Sequence, residues 1–318
     1  MADIADPADA GAEPGADAAA GAAAGAAAGG TAAGAPAAGA GGGAAGGAGL
    51  AGDPALVGTE HDPLVEALAL VEGAVQRGVG LRLLGGLAVR ALCRAYPPRL
   101  RRDQDIDLAC LSKSRKDVVA YLEGAGCEGD RRFNSLNGDR QMYFTAPSGR
   151  PIDVMVDRLT MCHTIDLRPR FDALPTTVDV VDVLLSKLQI VELNPKDARD
   201  VFHLLARFPV SGETPPGGWQ AVPDEPGPVI TIDRARFEKI LGSDWGWWRT
   251  VTGNLAKLPT LAATRDDYVP PGAHIDPLAN ASRLLEIAER APKSLQWKMR
   301  SRVGEKVRWY ELPEEVAH

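Results

Sequence analysis

The sequence has few cysteines, and none of the four has a partner at the spacing of a metal site or a redox pair. Cys93, Cys110, Cys127 and Cys162 lie far apart, without a CxxC pair and without a histidine at zinc spacing. This pattern argues against a cysteine-based zinc site and against a disulfide framework. We therefore expect four reduced, buried thiols.

The first part of the chain lacks basic residues and almost all large apolar residues. Residues 1–58 consist mainly of Ala and Gly, and the first Lys or Arg is Arg77. Such a composition cannot offset the entropy of ordering, so we predict a disordered tail. A signal peptide needs a basic start and an apolar stretch, and a membrane helix needs roughly 18 to 20 apolar residues. The sequence therefore predicts a cytoplasmic protein without a membrane partner.

The acidic balance of the chain comes from the same tail. The formal net charge is -7, but the segment through Glu60 carries seven acids and no Lys or Arg. The remaining 35 acids balance the 35 bases. Net charge consequently neither favours nor excludes a nucleic-acid partner.

Hydrophobic periodicity and turn residues predict an α+β fold. Asp62-Pro63 is typical of a helix start, and residues 178–193 and 196–208 have helical spacing on either side of Asn194-Pro195. Residues 141–145 and 151–156, joined by a Pro-Ser-Gly turn, predict an antiparallel hairpin. Other elements are predicted as strands at residues 81–84 and 105–111, helices at 62–78, 87–96 and 116–126, and C-terminal helices at 234–241, 245–258, 278–290 and 295–307.

This pattern divides the chain into four parts. We predict the disordered tail at residues 1–58, a first domain with a helical pair at 59–208, a linker at 209–229 and a helical region at 230–318. The linker is rich in Gly and Pro. Tryptophans are concentrated in the last region, where we expect them to pack within the chain.

Three carboxylates stand out among the predicted strands. Side chains alternate along a strand, so Asp105 and Asp107 project together while Ile106 and Leu108 face the core. Asp153 lies on the polar face of the later strand, and the same alternation places Asp157 with it. Side-by-side carboxylates repel one another unless a cation joins them, and divalent metal ions favour oxygen ligands. A pair of acids alone is usually a solvated strand face, but a third acid favours a metal site for phosphoryl transfer.

Glycines and basic residues near these acids predict a phosphate site. Gly85-Gly86 ends a strand and opens a helix, where backbone N–H groups attract anions. Arg90 lies one turn into that helix, and Arg101 precedes the acidic pair; each could contact a triphosphate or simply be solvated. Lys187 lies beside the apolar stripe of its helix, so it either extends outward or meets an anion such as a triphosphate.

The sequence resembles the polymerase-beta-like nucleotidyltransferase superfamily. The resemblance rests on Gly85-Gly86 within LLGGLAVR, on Asp105 and Asp107 within RRDQDIDL, and on Asp153 within IDV. The helical pair is similar to that of AbiEii-like abortive-infection toxins and aminoglycoside nucleotidyltransferases. Coverage runs from residue 64 to residue 208. Asp103 departs from the family pattern, in which many relatives carry Ser or Thr.

The resemblance implies a nucleotidyltransferase fold with a small mixed sheet flanked by helices. It implies transfer of NMP from an NTP to an acceptor hydroxyl on RNA, protein or a small molecule, with Mg²⁺ or Mn²⁺. Asp105, Asp107 and Asp153 would be metal ligands and Asp153 the base, while Gly85-Gly86 would hold the triphosphate. The toxin branch implies a cognate antitoxin.

Two other interpretations compete with an active enzyme. A degenerate nucleotidyltransferase would bind a nucleotide or a partner without turnover, and Asp103 and the unassigned C-terminal region favour it. A helical interaction protein would require the three acids to lie on different faces. The three acids with the glycine turn favour the enzyme.

Overall fold

The computed structural model describes residue 58 and residues 61–98, 104–212 and 229–311. These residues belong to one compact unit. Residues 1–57 of the predicted disordered tail, Arg101, Asp103 and most of the predicted linker lie outside the described residues.

A five-stranded mixed sheet forms the centre of the fold. Its strands are β1 (Leu81–Leu83), β2 (Ile106–Cys110), β3 (Glu128–Gly129), β4 (Gln141–Thr145) and β5 (Pro151–Val156). The order across the sheet is β1-β2-β5-β4-β3. The β2–β5 pair is parallel, and the other three pairs are antiparallel. The predicted α+β class, the small mixed sheet and the β4–β5 hairpin are confirmed.

Four helices accompany the sheet, followed by a two-stranded ribbon and the helical part of the chain. The first four are α1 (Pro63–Gln76), α2 (Gly85–Leu92), α3 (Arg115–Gly124) and α4 (Arg131–Asn137). The ribbon pairs β6 (Arg158–Thr160) with β7 (Thr164–Asp166). The remaining helices are α5 (Val180–Leu188), α6 (Pro195–Arg207), α7 (Arg234–Ser243), α8 (Trp245–Thr264), α9 (Pro277–Arg290) and α10 (Leu295–Val303).

Several elements differ from the sequence prediction. Helix α4 was not predicted; its N-cap is Asp130, whose side chain accepts a hydrogen bond from the Phe133 N–H. Helix α10 ends earlier than predicted, because Gly304 follows it with a φ of 59°. Asp157 does not continue the acidic face of β5, because the strand ends at Val156 and Asp157 has a φ of 63°.

Helix α5 is also shorter than predicted, and buried asparagines explain where the helical pair ends. The Asn254 side chain donates to the Leu188 and Ile190 carbonyls at 2.9 and 2.6 Å. The Asn280 side chain donates to the Leu205 and Phe208 carbonyls, both at 2.9 Å. The last carbonyls of a helix have no intrahelical partner. Helices α8 and α9 therefore close the ends of α5 and α6 and fix their positions.

One hydrophobic core includes side chains from the sheet and from the helices on both sides of the predicted linker. The C-terminal tryptophans take part within the chain: Trp247 packs on His163, and Trp248 packs edge-on against Trp297. All four cysteines are free and buried, as predicted. In the described ranges, each helix is too short or too polar to span a lipid bilayer.

Candidate active site

Strands β2 and β5 bring two of the predicted acids side by side. Asp107 and Asp153 are register partners in the parallel β2–β5 pair, so their side chains leave the same face of the sheet. Both are half-buried, whereas the flanking Ile106 and Ile152 are completely buried on the core face. The opposite face of these strands therefore carries an acidic cluster with low access to water.

Asp105 joins this cluster at the entry to β2. It lies two residues before Asp107 and is exposed. Its charge acts on two neighbours: it contributes to raising the pKa of Asp107 and that of Tyr143. The three predicted carboxylates consequently share one electrostatic environment. The helical interaction protein required these acids to lie on different faces, so that interpretation is wrong.

The glycine turn lies directly against Asp107. The Leu84 N–H donates to the Asp107 carbonyl at 2.9 Å, which joins the turn to β2. Gly85 has a φ of 63°, and a Cβ there would lie 2.0 Å from Asp107 Oδ2. Only glycine satisfies both the conformation and the close approach.

Gly86 is less restricted than Gly85. A Cβ at Gly86 would lie 3.0 Å from Gln104 Nε2 and 3.9 Å from Asp200 Oδ2. Helix α2 begins at this turn, and its N-cap residue, Leu84, makes no capping hydrogen bond through its side chain. The turn thus presents helix N–H groups next to the acidic cluster, which is the predicted setting for a phosphate.

Within the cluster, Asp107 has a strongly raised pKa. Burial raises the pKa of Asp107 to about 7; Lys187 opposes the rise, while Asp153, Asp105 and Asp197 add to it. Ionised Asp107 is therefore destabilised by desolvation and by like charges. A cation next to this group would relieve both.

Lys187 provides part of that positive charge. Its Nζ lies 2.8 Å from Asp197 Oδ1 and 2.9 Å from Asp200 Oδ2, both on α6. Burial alone would lower the pKa of Lys187, but the two carboxylates outweigh burial and raise it. Lys187 is thus a fixed cation near Asp107 with protein counter-ions, and its predicted contact with a triphosphate stays a prediction.

Arg90 is held by a buried acid at the start of α1. Its guanidinium pairs with both oxygens of Asp62, the N-cap of that helix, and its Nη2 lies 2.6 Å from Asp62 Oδ2. A phosphate contact by Arg90 would require this pair to open, so that role also stays a prediction. Arg101 lies outside the described residues.

Strand β4 contributes two residues that sequence reasoning missed. Tyr143 is the register partner of Asp153, and burial followed by the charges of Asp153 and Asp105 raises the pKa of Tyr143. Gln141 Nε2 donates to Asp153 Oδ1 at 2.6 Å. The alternation of β4 places both side chains on the face of Asp153, but their contacts depend on the register of the hairpin.

The donor set fits a hard divalent cation. Among the described residues, no group of three or more His, Cys, Asp or Glu side chains is placed so that it could hold a metal ion. Mg²⁺ normally takes one or two carboxylates and completes its shell with water and substrate phosphates. Half-buried, mutually repelling carboxylates beside the first turn of α2 suit that mode of binding.

Comparison with known proteins gives only distant similarities. No protein-family model matches the chain, and no curated protein sequence matches it significantly. One similar solved structure is that of ANT(2")-Ia in complex with adenylyl-2"-tobramycin, with 13% identity, a TM-score of 0.29, and coverage of 42% of this chain and 78% of that one. Another is an antigenic nucleotidyltransferase-like protein from Paracoccidioides brasiliensis, with 13% identity, a TM-score of 0.34, and coverage of 74% and 96%. The chemistry of the site is therefore inferred from its own residues.

Proposed function

We propose that this protein is a metal-dependent nucleotidyltransferase that transfers NMP from an NTP to an acceptor hydroxyl. The observation that carries the proposal is the placement of Asp107 beside Asp153 in register, with Asp105 nearby and the Gly85 turn against Asp107. Neighbouring carboxylates beside the N-terminus of helix α2 would combine a cation site with a phosphate site. Phosphoryl transfer needs both.

Asp105, Asp107 and Asp153 would hold the metal ions, with Mg²⁺ or Mn²⁺ as the expected ions. When bound, these ions would neutralise the phosphate oxygens and polarise the reacting phosphoryl group. Gly85 and Gly86 allow the backbone to approach the triphosphate without a Cβ in the way. Lys187 adds a positive charge close to Asp107.

The reaction forms a bond between the acceptor oxygen and the α-phosphorus and breaks the bond from that phosphorus to the bridging oxygen. Pyrophosphate leaves with the bonding electrons. Asp153 would accept the proton of the acceptor hydroxyl, and its position beside β4 at the border of the cluster supports this role. Gln141 and Tyr143 line the same border.

Transfer of label tests the proposal. The full chain is incubated with each α-labelled NTP, with Mg²⁺ or Mn²⁺, and with total RNA, lysate protein or the small-molecule fraction. We expect label in one fraction with the wild type and none with Asp107→Asn, which keeps the side-chain size. Nucleotide binding by calorimetry without label in any fraction would favour the degenerate, binding-only protein instead.

We also propose that the acceptor determines whether the protein acts as a toxin. Nucleotidylation of an essential RNA or protein would block its use, and a cognate antitoxin would then be needed. Induced expression should slow growth with the wild type but not with Asp107→Asn. Equal growth of the two strains, despite label transfer in vitro, would oppose the toxin role and leave the enzyme intact.

A further inference from the structure

Gln141 makes a short contact with the third carboxylate of the site. Its Nε2 donates to Asp153 Oδ1 at 2.6 Å, and both side chains are half-buried. Gln141 is opposite Met155 in the β4–β5 ladder, so it reaches Asp153 diagonally rather than across the register. Diagonal neighbours are about 7 to 8 Å apart at the backbone, a distance that a long side chain such as Gln spans.

A neutral donor at this position has a specific consequence for Asp153. A basic residue would neutralise the carboxylate and compete with a bound cation, and an acidic residue would repel it. The amide fixes one oxygen by a hydrogen bond and leaves the negative charge in place. Groups that orient a metal ligand without replacing its charge usually influence affinity and activity strongly.

The Gln141–Asp153 hydrogen bond is not needed to hold strand β4 in place. Strand β4 is held by its ladder to β5 and by the buried Met142 and Phe144 on its opposite face. A single hydrogen bond between two half-buried side chains contributes little to folding beside this ladder and these buried side chains. Loss of the amide should therefore leave the fold intact.

We propose that Gln141 is a positioning residue that orients Asp153 for metal binding and for transfer. This inference rests on the proposed function, since it assigns a role to the Asp153 carboxylate. Gln141 acts through Asp153 and not on the substrate. Its contribution should appear in metal affinity and in kcat rather than in nucleotide KM.

Gln141→Met tests the role, because it keeps the length of the side chain and removes the donor. Thr145→Val is the matched control, since Thr145 lies on the same strand and face, at the far end of the β4–β5 ladder opposite Pro151. Gln141→Leu is a second variant in case the first is poorly folded. Mn²⁺ binding is followed by electron paramagnetic resonance in the presence of a non-hydrolysable NTP analogue, and thermal melting checks the fold.

We expect half-saturation by Mn²⁺ to rise about 10- to 100-fold in Gln141→Met, with kcat reduced in the same range. KM for the NTP at saturating metal should change less than about threefold, and Thr145→Val should match the wild type. Wild-type Mn²⁺ affinity in both Gln141 variants would overturn the positioning role. Failure of the wild type itself to bind Mn²⁺, with Asp153→Asn indistinguishable from it, would instead overturn the proposed function.

Discussion

Asp107→Asn should stabilise the metal-free protein, and the gain should grow with pH. In the wild type, the pKa of Asp107 is raised from 3.8 to about 7, mainly by burial. The folded state therefore holds this proton more tightly than the unfolded chain. The stability that this group provides is complete below about pH 4 and is lost as the pH rises through about 7.

The expected magnitude follows from the two pKa values. One pKa unit corresponds to about 1.4 kcal/mol, so a rise from about pH 5 to about pH 8 removes on the order of 2 to 3 kcal/mol. Because Asp107 keeps some contact with solvent, we expect a smaller loss, about 1 to 2 kcal/mol. For a folded part of this size, that difference corresponds to a Tm difference of roughly 2 to 8 °C.

The assay is thermal melting of wild type and Asp107→Asn in metal-free buffer between about pH 5 and about pH 8. Comparison of the two proteins at each pH cancels the other titrating groups. Glu123→Gln, which removes one exposed carboxylate from α3, controls for net charge. Mg²⁺ should raise the Tm of the wild type at about pH 8 and leave Asp107→Asn unchanged. A difference between the two proteins that is constant over this pH range would refute the reasoning.

Three further outcomes are expected. Gly85→Ala should destabilise the fold by about 1 to 3 kcal/mol and abolish transfer, because a Cβ at a φ of 63° would collide with Asp107. In a urea titration of both variants, Gly86→Ala should keep wild-type stability, because its Cβ would meet the flexible end of Gln104 and would lie 3.9 Å from Asp200 Oδ2. Lys187→Met should destabilise the protein by roughly 2 to 4 kcal/mol, since Asp197 and Asp200 lose their counter-ion. Adding Asp197→Asn and Asp200→Asn should restore the Tm. If Lys187 also contacts the triphosphate, activity should stay low in this triple variant; recovery of activity would show that Lys187 is not part of the site. The pKa of His163 is lowered to about 4, chiefly by burial, so the folded state resists its protonation. The contribution of His163 to folding stability, up to about 3 kcal/mol, is complete above about pH 6.5 and is lost as the pH falls towards 4. In His163→Gln, the Tm should fall less steeply than in the wild type as the pH is lowered from about 6.5 to about 4. An equally steep fall would contradict this assignment.

The local sequence was sufficient to predict elements that depend on residues a few positions apart. The alternation of β5 and the Asp62-Pro63 start of α1 are set by strand and helix geometry over a few residues. The three acids and the glycine turn were predicted for the same reason. Helix α4 was not predicted because seven residues, about two turns, carry too little periodicity.

Tertiary structure alone decided which of these side chains meet. The register that pairs Asp107 with Asp153, and the diagonal reach of Gln141, depend on how separate strands align. The counter-ions of Arg90 and Lys187 come from other helices, because a buried charge must find a partner wherever packing supplies one. The sequence therefore determined which strand or helix carries each acid, glycine and basic residue. Burial and long-range packing determined which of these residues contact one another and how far their pKa values are shifted.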